Sequence, residues 1–142
     1  MRTASCNWLV CSVLLATVAG CGGVDDGFSY QPVSGRITVD GTPQAGLTVT
    51  FVPQSKNLNS GRPSVGVTDQ DGRYEAHTID GRTGAALGEH IVSISSEQVD
   101  METQDVVVRE EIPLRYNKRS TLRFTVPSGG TEAADFMIES GK

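Results

Sequence analysis

Five side chains of the sequence are of types and in positions that could do chemistry. They are Cys21, which follows a long apolar run, the neighbouring carboxylates of Asp69 and Asp71, and the two histidines, His77 and His90. A thiol can carry a lipid, paired carboxylates can hold calcium, and two imidazoles can contribute to a zinc site. Which of these is open to the chain depends on the elements that position the five side chains.

Cys21 ends an apolar N-terminal stretch, "WLVCSVLLATVA" from Trp8 to Ala19, that Arg2 precedes. This run is too short to span a bilayer, which takes about 20 residues, but it has the length of a signal-peptide core. The "VAGC" that follows resembles a bacterial lipobox, whose cysteine is lipidated and becomes the first residue of the mature protein. We therefore expect a lipoprotein signal peptide at 1–20 and lipid attachment at Cys21. The alternative is an ordinary secretory peptide followed by an incidental cysteine.

Composition limits the partners of such a mature chain. Loss of residues 1–20 removes Arg2 and no acid, so 12 − 1 = 11 basic residues face 17 acidic ones, a formal charge of −6. The surface has no lysine and arginine cluster, so nucleic acid and anionic headgroups are disfavoured. We expect export and attachment to a bacterial membrane, on the periplasmic or outer face of the envelope, through acyl chains on Cys21. With Cys21 as the only cysteine left, no disulfide can form and the fold must rest on its core.

Residues 21–31 have no sustained periodicity and predict a flexible tether, whereas residues 32–140 suit a single domain. Alternation with a period of two dominates that domain, and Gly, Asp and Pro separate the alternating segments. Seven strands are predicted: "VSGRITV" from Val33, "LTVTFV" from Leu47, "SVGVT" from Ser64, "RYEAHTI" from Arg73, "EHIVSIS" from Glu89, "TLRFTV" from Thr121 and "ADFMIE" from Ala134. This pattern predicts an all-β fold, a seven-stranded antiparallel sandwich after a signal-peptide helix.

The segment "DVVVREEIPLRYN", residues 105–117, has too many apolar residues for a free loop. We expect a crossover that docks on the core through Val107, Ile112, Leu114 and Tyr116. A short strand at Val106 to Val108 is compatible with it.

The ordered motifs "VSGRITVDGTPQAGLTVTFVP", "GVTDQDGRYEA" and "LGEHIVSIS" resemble the carboxypeptidase regulatory-like, transthyretin-like β-sandwich domains of exported bacterial proteins. "IPLRYN", with "LRFTV" and "DFMIE" after it, is similar to the end of the short lipoprotein versions. The resemblance covers nearly all of Pro32 to Glu139. It implies a prealbumin-like, Ig-like sandwich of seven strands and, for most members, an accessory or structural role.

The sequence argues against calcium binding and against both kinds of hydrolase activity that were considered. Asp69 and Asp71 have the spacing that opens an EF-hand loop, but Arg73 stands where an oxygen ligand belongs and Tyr74 stands where the loop needs glycine, so "DQDG" predicts a hairpin turn. No serine lies in a G-x-S-x-G elbow. Hydroxyisourate hydrolases share the transthyretin-like fold and end in a Tyr-Arg-Gly-Ser motif, which the closing "MIESGK" lacks. No catalytic residue transfers, and this hydrolase is the least favoured alternative.

The two histidines are predicted to face opposite ways. The turn and the resemblance place Tyr74 and Ala76 inward, so His77 should face solvent, whereas Val92 and Ile94 define an inward face that His90 shares. A zinc site needs three or four ligands converging on one ion, so we expect no shared metal.

We expect a non-enzymatic, membrane-anchored envelope lipoprotein without a cofactor, with a structural or protein-contact role. The alternative is a weak carbohydrate- or peptide-binding module, although sugar stacking needs exposed aromatic rings. Five of the mature chain's seven aromatics are predicted to pack inward or dock: Phe51, Tyr74, Tyr116, Phe124 and Phe136. The other two, Phe28 and Tyr30, fall in the tether. The loop Lys56–Arg62 and the stretch Arg82–Gly84 are either a polar contact surface for another envelope protein or solvated loops.

Overall fold

The computed structural model describes residues 26–54 and 61–141, and this part of the chain is all-β. Its strands are β1 Tyr30–Gln31, β2 Ser34–Val39, β3 Thr42–Pro43, β4 Thr48–Pro53, β5 Ser64–Val67, β6 Arg73–Glu75, β7 His77–Thr78, β8 Ala85–Ala86, β9 Gly88–Ser95, β10 Gln98–Val99, β11 Val106–Val108, β12 Leu122–Val126 and β13 Phe136–Ile138. One 3₁₀ turn covers Leu114–Tyr116, and the described residues contain no α-helix. The predicted signal peptide and Cys21 lie outside the described residues.

The larger sheet has five antiparallel strands in the order β12-β9-β4-β5-β7. Its two central strands alternate as the sequence predicts, with Val49 and Phe51 of β4 and Val92 and Ile94 of β9 fully buried. Because side chains of a strand point alternately to the two faces, this sheet presents one apolar face to the interior and a mixed face to solvent, where threonines lie beside the exposed Val52 and Val67.

The second sheet is centred on β2. The strands β3 and β6 pair antiparallel with it, and β13 pairs with it in parallel, with Phe136 opposite Ile37 and Ile138 opposite Val39. The prediction of a wholly antiparallel sandwich is therefore wrong for the last strand. A parallel pair requires a long connection, which is available because β2 and β13 lie at opposite ends of the domain sequence.

All seven predicted segments contain a strand, but the fourth is divided between the sheets. Its first half, β6, pairs with β2, whereas its second half, β7, pairs with β5. Ala76 lies between the halves, fully buried, and its N–H donates to Val33 O at 2.9 Å. The segment thus joins the two sheets along one side of the core.

The two sheets pack face to face around Phe51, whose side chain has no exposed surface. Its ring lies 6.1 Å from Tyr74 and 6.4 Å from Phe136, both on the second sheet. On its own sheet it lies 6.0 Å, edge to face, from each of Phe124 and His90. Tilted and edge-on arrangements at these separations are the favourable geometries for aromatic pairs.

The segment 105–117 behaves only partly as predicted. Val106–Val108 forms a strand, Ile112 is buried, and Tyr116 packs partly buried against the core. Val107 and Leu114 were expected to dock but are 62% and 49% exposed. Val107 has no sheet to pack on because β11 pairs with β10 alone, and Leu114 begins the 3₁₀ turn, where its side chain faces outward.

Replacement of Phe51 by alanine is expected to lower the free energy of unfolding by about 3–5 kcal/mol, because it opens a cavity between the two sheets. Chemical denaturation followed by circular dichroism measures the loss. The matched control is Val52→Ala, the next residue along the strand, whose side chain points out of the core; it should lose less than about 1 kcal/mol. Equal losses at the two positions would contradict the assignment of Phe51 to the centre.

Candidate functional site

A cluster of charged side chains lies where the described chain begins. We call it the Asp26 cluster, and its members are Asp26, Tyr30, Arg62, Asp80 and Arg82. The Tyr30 hydroxyl donates to Asp26 Oδ2 at 2.7 Å, and Arg82 Nη1 donates to Asp26 Oδ1 at 3.0 Å. The Asp26 carboxylate, 15% exposed, therefore has a partner on each oxygen.

The two arginines tie Asp26 to the loop after β7. Arg82 Nε lies 3.4 Å from Asp80 Oδ2, and Arg62 Nε lies 3.6 Å from Asp26 and 3.7 Å from Asp80. The Arg82 guanidinium also stacks 5.2 Å from the centre of the Tyr30 ring. Two acids and two bases from three separate parts of the chain thus alternate in one network, and such a network positions side chains better than an isolated exposed pair does.

Backbone pairing reinforces this contact. Tyr30 and Gln31 pair with Ala86 and Ala85, and Leu87 N–H donates to Ser29 O at 2.8 Å. Residues 26–31 were assigned to a flexible tether at 21–31, but they form part of the folded domain. The remaining tether residues, 21–25, lie outside the described residues.

Gly84 is the residue that permits this close approach. Its φ of +94° is in the region that favours glycine, and a Cβ there would collide with the carbonyl of Gln31. The stretch Arg82–Gly84, predicted as a polar surface or a solvated loop, therefore packs against the N-terminal segment through Arg82 and Gly84, and Thr83 is exposed.

The cluster favours the ionised form of Asp26. The hydrogen bond from Tyr30, with weaker help from the Phe28 N–H and from Arg82, lowers the pKa of this carboxyl from 3.8 to about 2. The Thr78 hydroxyl, which donates to Asp80 at 2.5 Å, likewise lowers the pKa of Asp80. The hydrogen bond to Asp26 raises the pKa of Arg82, so Asp26, Asp80 and Arg82 are all charged at neutral pH.

The cluster also limits the distance between the domain and Cys21. Five peptide steps separate Cys21 from Asp26, and each spans at most about 3.6 Å, so the two residues lie within roughly 18 Å of each other. The end of the domain that carries the cluster therefore lies within this distance of Cys21, the residue that the sequence predicts to carry lipid. We call this end the attachment pole.

The predicted calcium candidates form a turn, as expected. Asp69 Oδ1 accepts from the N–H groups of Asp71 and Arg73, both at 2.9 Å, and the Gly72 N–H donates to Asp69 O at 2.9 Å. The carboxylate oxygen is thus engaged by backbone donors. Within the described ranges, no three histidine, cysteine or acidic side chains gather where they could hold a metal ion.

The predicted facing of the two histidines is confirmed. His77 is exposed next to Glu75, and His90 is completely buried. His90 Nδ1 lies 3.0 Å from Gly88 O, while its Nε2 has no hydrogen-bond partner among the described residues. Burial lowers the pKa of His90, so its imidazole is neutral in the fold.

A groove of about 490 Å³ lies beside β2 and β6. Its charged lining residues are Arg36, Arg73, Glu132 and Asp135. Tyr74 also lines it, but the ring is buried and the hydroxyl donates to Ala134 O at 2.6 Å. Every aromatic side chain in residues 26–54 and 61–141 is buried or half-buried, so this part of the chain offers no open platform for sugar stacking.

The Asp26 cluster was missed at the level of the sequence. Arg62 is the last residue of the predicted contact loop Lys56–Arg62, and Arg82 is the first residue of the predicted contact stretch Arg82–Gly84. Residues 56–60 lie outside the described residues. The one feature of the sequence that could have pointed to the cluster is charge, because the two acids Asp26 and Asp80 balance the two arginines. Nothing in their spacing indicates that residues 56 positions apart form an ion pair.

Comparison with protein-family models, with curated proteins and with solved structures finds no match for this chain. Among the described residues, no helix has the length and apolar character that crossing a bilayer takes.

The carboxyl of Asp26 is expected to titrate at about pH 2 in the folded protein. A depressed pKa means that the contribution to stability is complete above 3.8 and is lost as the pH falls towards 2. In a Tyr30→Phe variant, which loses only the hydroxyl, the Asp26 pKa should rise, and in Arg82→Gln it should rise by a smaller amount. Carbon-detected NMR of the side-chain carboxyls measures both. Arg123→Gln, which breaks an exposed ion pair with Glu89, is the control and should leave Asp26 unchanged.

His90 is expected to make the protein less stable below about pH 6.5. The unfolded chain takes up a proton near the ordinary histidine pKa of 6.5, whereas the buried imidazole takes it up only at lower pH, so acidification favours unfolding. Denaturation midpoints at about pH 5.5 and 7.5 should differ in the parent and less in His90→Phe. The control His77→Phe should retain the parent's difference, and a parent with equal midpoints would contradict the prediction.

Proposed function

We propose that this chain is an exported bacterial lipoprotein, acylated at Cys21, whose transthyretin-like β-sandwich is non-enzymatic and serves as a protein-contact or structural module at the envelope. The membrane is then the first partner, reached through the acyl chains. The role depends on the position of the domain. A short link holds the domain next to the membrane, and its other surfaces are accessible to proteins of the envelope.

The observation that carries this proposal is the Asp26 cluster, considered together with "VAGC" at residues 18–21. A lipidated Cys21 would leave only residues 22–25 between the anchor and a point where the chain is ion-paired to the domain. A domain held this closely keeps one pole towards the bilayer. A freely rotating domain on a ten-residue coil would present all its faces equally, so the cluster supports a role that depends on orientation.

The transthyretin-like assignment draws its support from the order of the elements. The seven predicted strands occur in sequence and divide between two sheets that pack around one aromatic centre, with the docking segment 105–117 between the fifth and sixth. The burial of the aromatic rings in the described residues disfavours the weak carbohydrate-binding alternative, because sugar stacking needs exposed ring faces.

A Cys21→Ala variant is expected to move from the detergent phase to the aqueous phase when cells are extracted with a detergent that separates on warming. The acyl chains supply the membrane affinity, each buried methylene contributing about 0.8 kcal/mol, and the acidic surface supplies none. Cys11→Ala is the matched control, because Cys11 lies in the segment that would be removed. Incorporation of labelled palmitate into the parent but not into Cys21→Ala checks the same point. Identical partitioning of the parent and Cys21→Ala would overturn the lipoprotein proposal.

A further inference from the structure

The strands β10 and β11 form a hairpin that belongs to neither main sheet. We call residues 98–108 the arm. Every one of its residues is exposed, and five of them are large and apolar: Val99, Met101, Val106, Val107 and Val108, which are 40–85% exposed. This is the densest group of exposed apolar side chains in the described ranges, and such a group on a soluble surface marks an interaction site.

The arm is held firmly at its base. Glu110 accepts from the Ser95 hydroxyl at 2.5 Å, from the Ser96 N–H at 3.0 Å and from the Ile112 N–H at 2.9 Å. These hydrogen bonds lower the pKa of Glu110 although burial opposes them, so the clamp is charged at neutral pH. The apolar side chains are therefore presented in a set geometry, which lowers the ordering cost of binding.

The tip of the arm is equally well defined. Asp100 Oδ1 accepts from the N–H groups of Glu102 and Thr103, and the Gln104 N–H donates to Asp100 O at 2.9 Å. These bonds fold the connection between β10 and β11 into a compact turn, and Met101 extends from it with 85% of its surface exposed.

The arm lies at the opposite end of the sandwich from the Asp26 cluster. The strand β9 begins at Gly88, directly after the Leu87 N–H that bonds to Ser29 O at the attachment pole, and it ends at Ser95, where the arm begins. Seven steps along a strand cover roughly 24 Å. If Cys21 carries the lipid, as proposed above, the arm points away from the membrane.

The charge of the arm and its flanking residues indicates what kind of surface the arm can bind. Residues 97–111 contain six acidic residues and one basic residue, Arg109, so the region has a formal charge of −5. Anionic headgroups would repel it, and so would the same arm on a second copy of this chain. A surface that combines an apolar groove with a basic rim is complementary in both respects.

We propose that the arm is the docking element for another protein of the envelope, one whose surface offers an apolar groove bordered by lysine and arginine. Val99 and Val106, which lie opposite each other across the hairpin and so share a face, enter the groove together with Met101, while Glu102, Asp105 and Glu111 face the basic rim. The part of this inference that concerns direction rests on the proposed lipid anchor. The contact itself rests only on the exposed side chains and their charge.

Site-specific photocrosslinking in cells tests the arm. The photoreactive amino acid p-benzoylphenylalanine is placed at Met101, 85% exposed, or at Met137, a methionine of β13 that is 81% exposed and serves as the matched control. We expect an adduct with a different protein from position 101 and none from position 137. Adducts with lipid or with a second copy of the chain, equal adducts at both positions, or none at all would overturn the proposal.

Binding of the purified full-length chain to the protein captured in this way supplies the second measurement. The double variant Val99→Thr with Val106→Thr keeps the shape and β-branching of the side chains, and we expect it to weaken binding at least about tenfold. Val52→Thr, at a valine 39% exposed against 40% for Val99, should bind like the parent. The dissociation constant should also rise with salt, because the rim contacts are ionic. Equal binding by the double variant and the parent, or binding insensitive to salt, would count against the arm.

The two proposals fail separately. Detergent partitioning reports on Cys21, and the adduct at position 101 reports on the arm. A chain that partitions as a lipoprotein but gives no adduct disproves only the docking proposal, whereas an adduct from a chain that stays in the aqueous phase disproves only the anchor.

Discussion

The contact of Phe51 with both sheets is the constraint on which the rest of the structure depends. The described residues contain no cysteine and gather no metal site, so the contact between the two sheets rests chiefly on the packing of buried side chains. Phe51 meets Tyr74 and Phe136 across the interface and Phe124 within its own sheet. Because interiors are close-packed, this one ring sets the spacing and the lateral position of both sheets.

Because the two sheets are packed together, the length of β9 sets the distance between the Asp26 cluster and the arm. One end of that strand adjoins the segment that pairs with β8, and the other end leads into the arm. The Asp26 cluster ties the incoming chain to the first end, and Glu110 clamps the arm at the second. The described domain therefore has two distinct poles, the Asp26 cluster at one and the arm at the other, separated by the length of the larger sheet.

Much of the fold could be predicted from the sequence, and the candidate site largely could not. The alternation in "LTVTFV" and "EHIVSIS" places Leu47, Val49, Phe51, Val92 and Ile94 in the core because a strand has only two faces. The same alternation places His90 inside and His77 outside. The Asp26 cluster joins residues 26 and 30, from a segment without periodicity, to residues 62, 80 and 82, so no local pattern brings its members together. The exposure of Val107 could not be predicted from the sequence either, because it depends on which strand β11 pairs with.

The sequence alone determined the strand segments, the turn at Asp69 to Gly72, the inward side chains and the expectation of lipid at Cys21, because each of these depends on neighbouring residues. Only the tertiary structure decided the parallel pairing of β13, the division of Arg73–Thr78 between two sheets, the docking of residues 26–31 and the projection of the arm. All four depend on contacts between residues far apart in the chain, and such contacts follow from how the whole core closes.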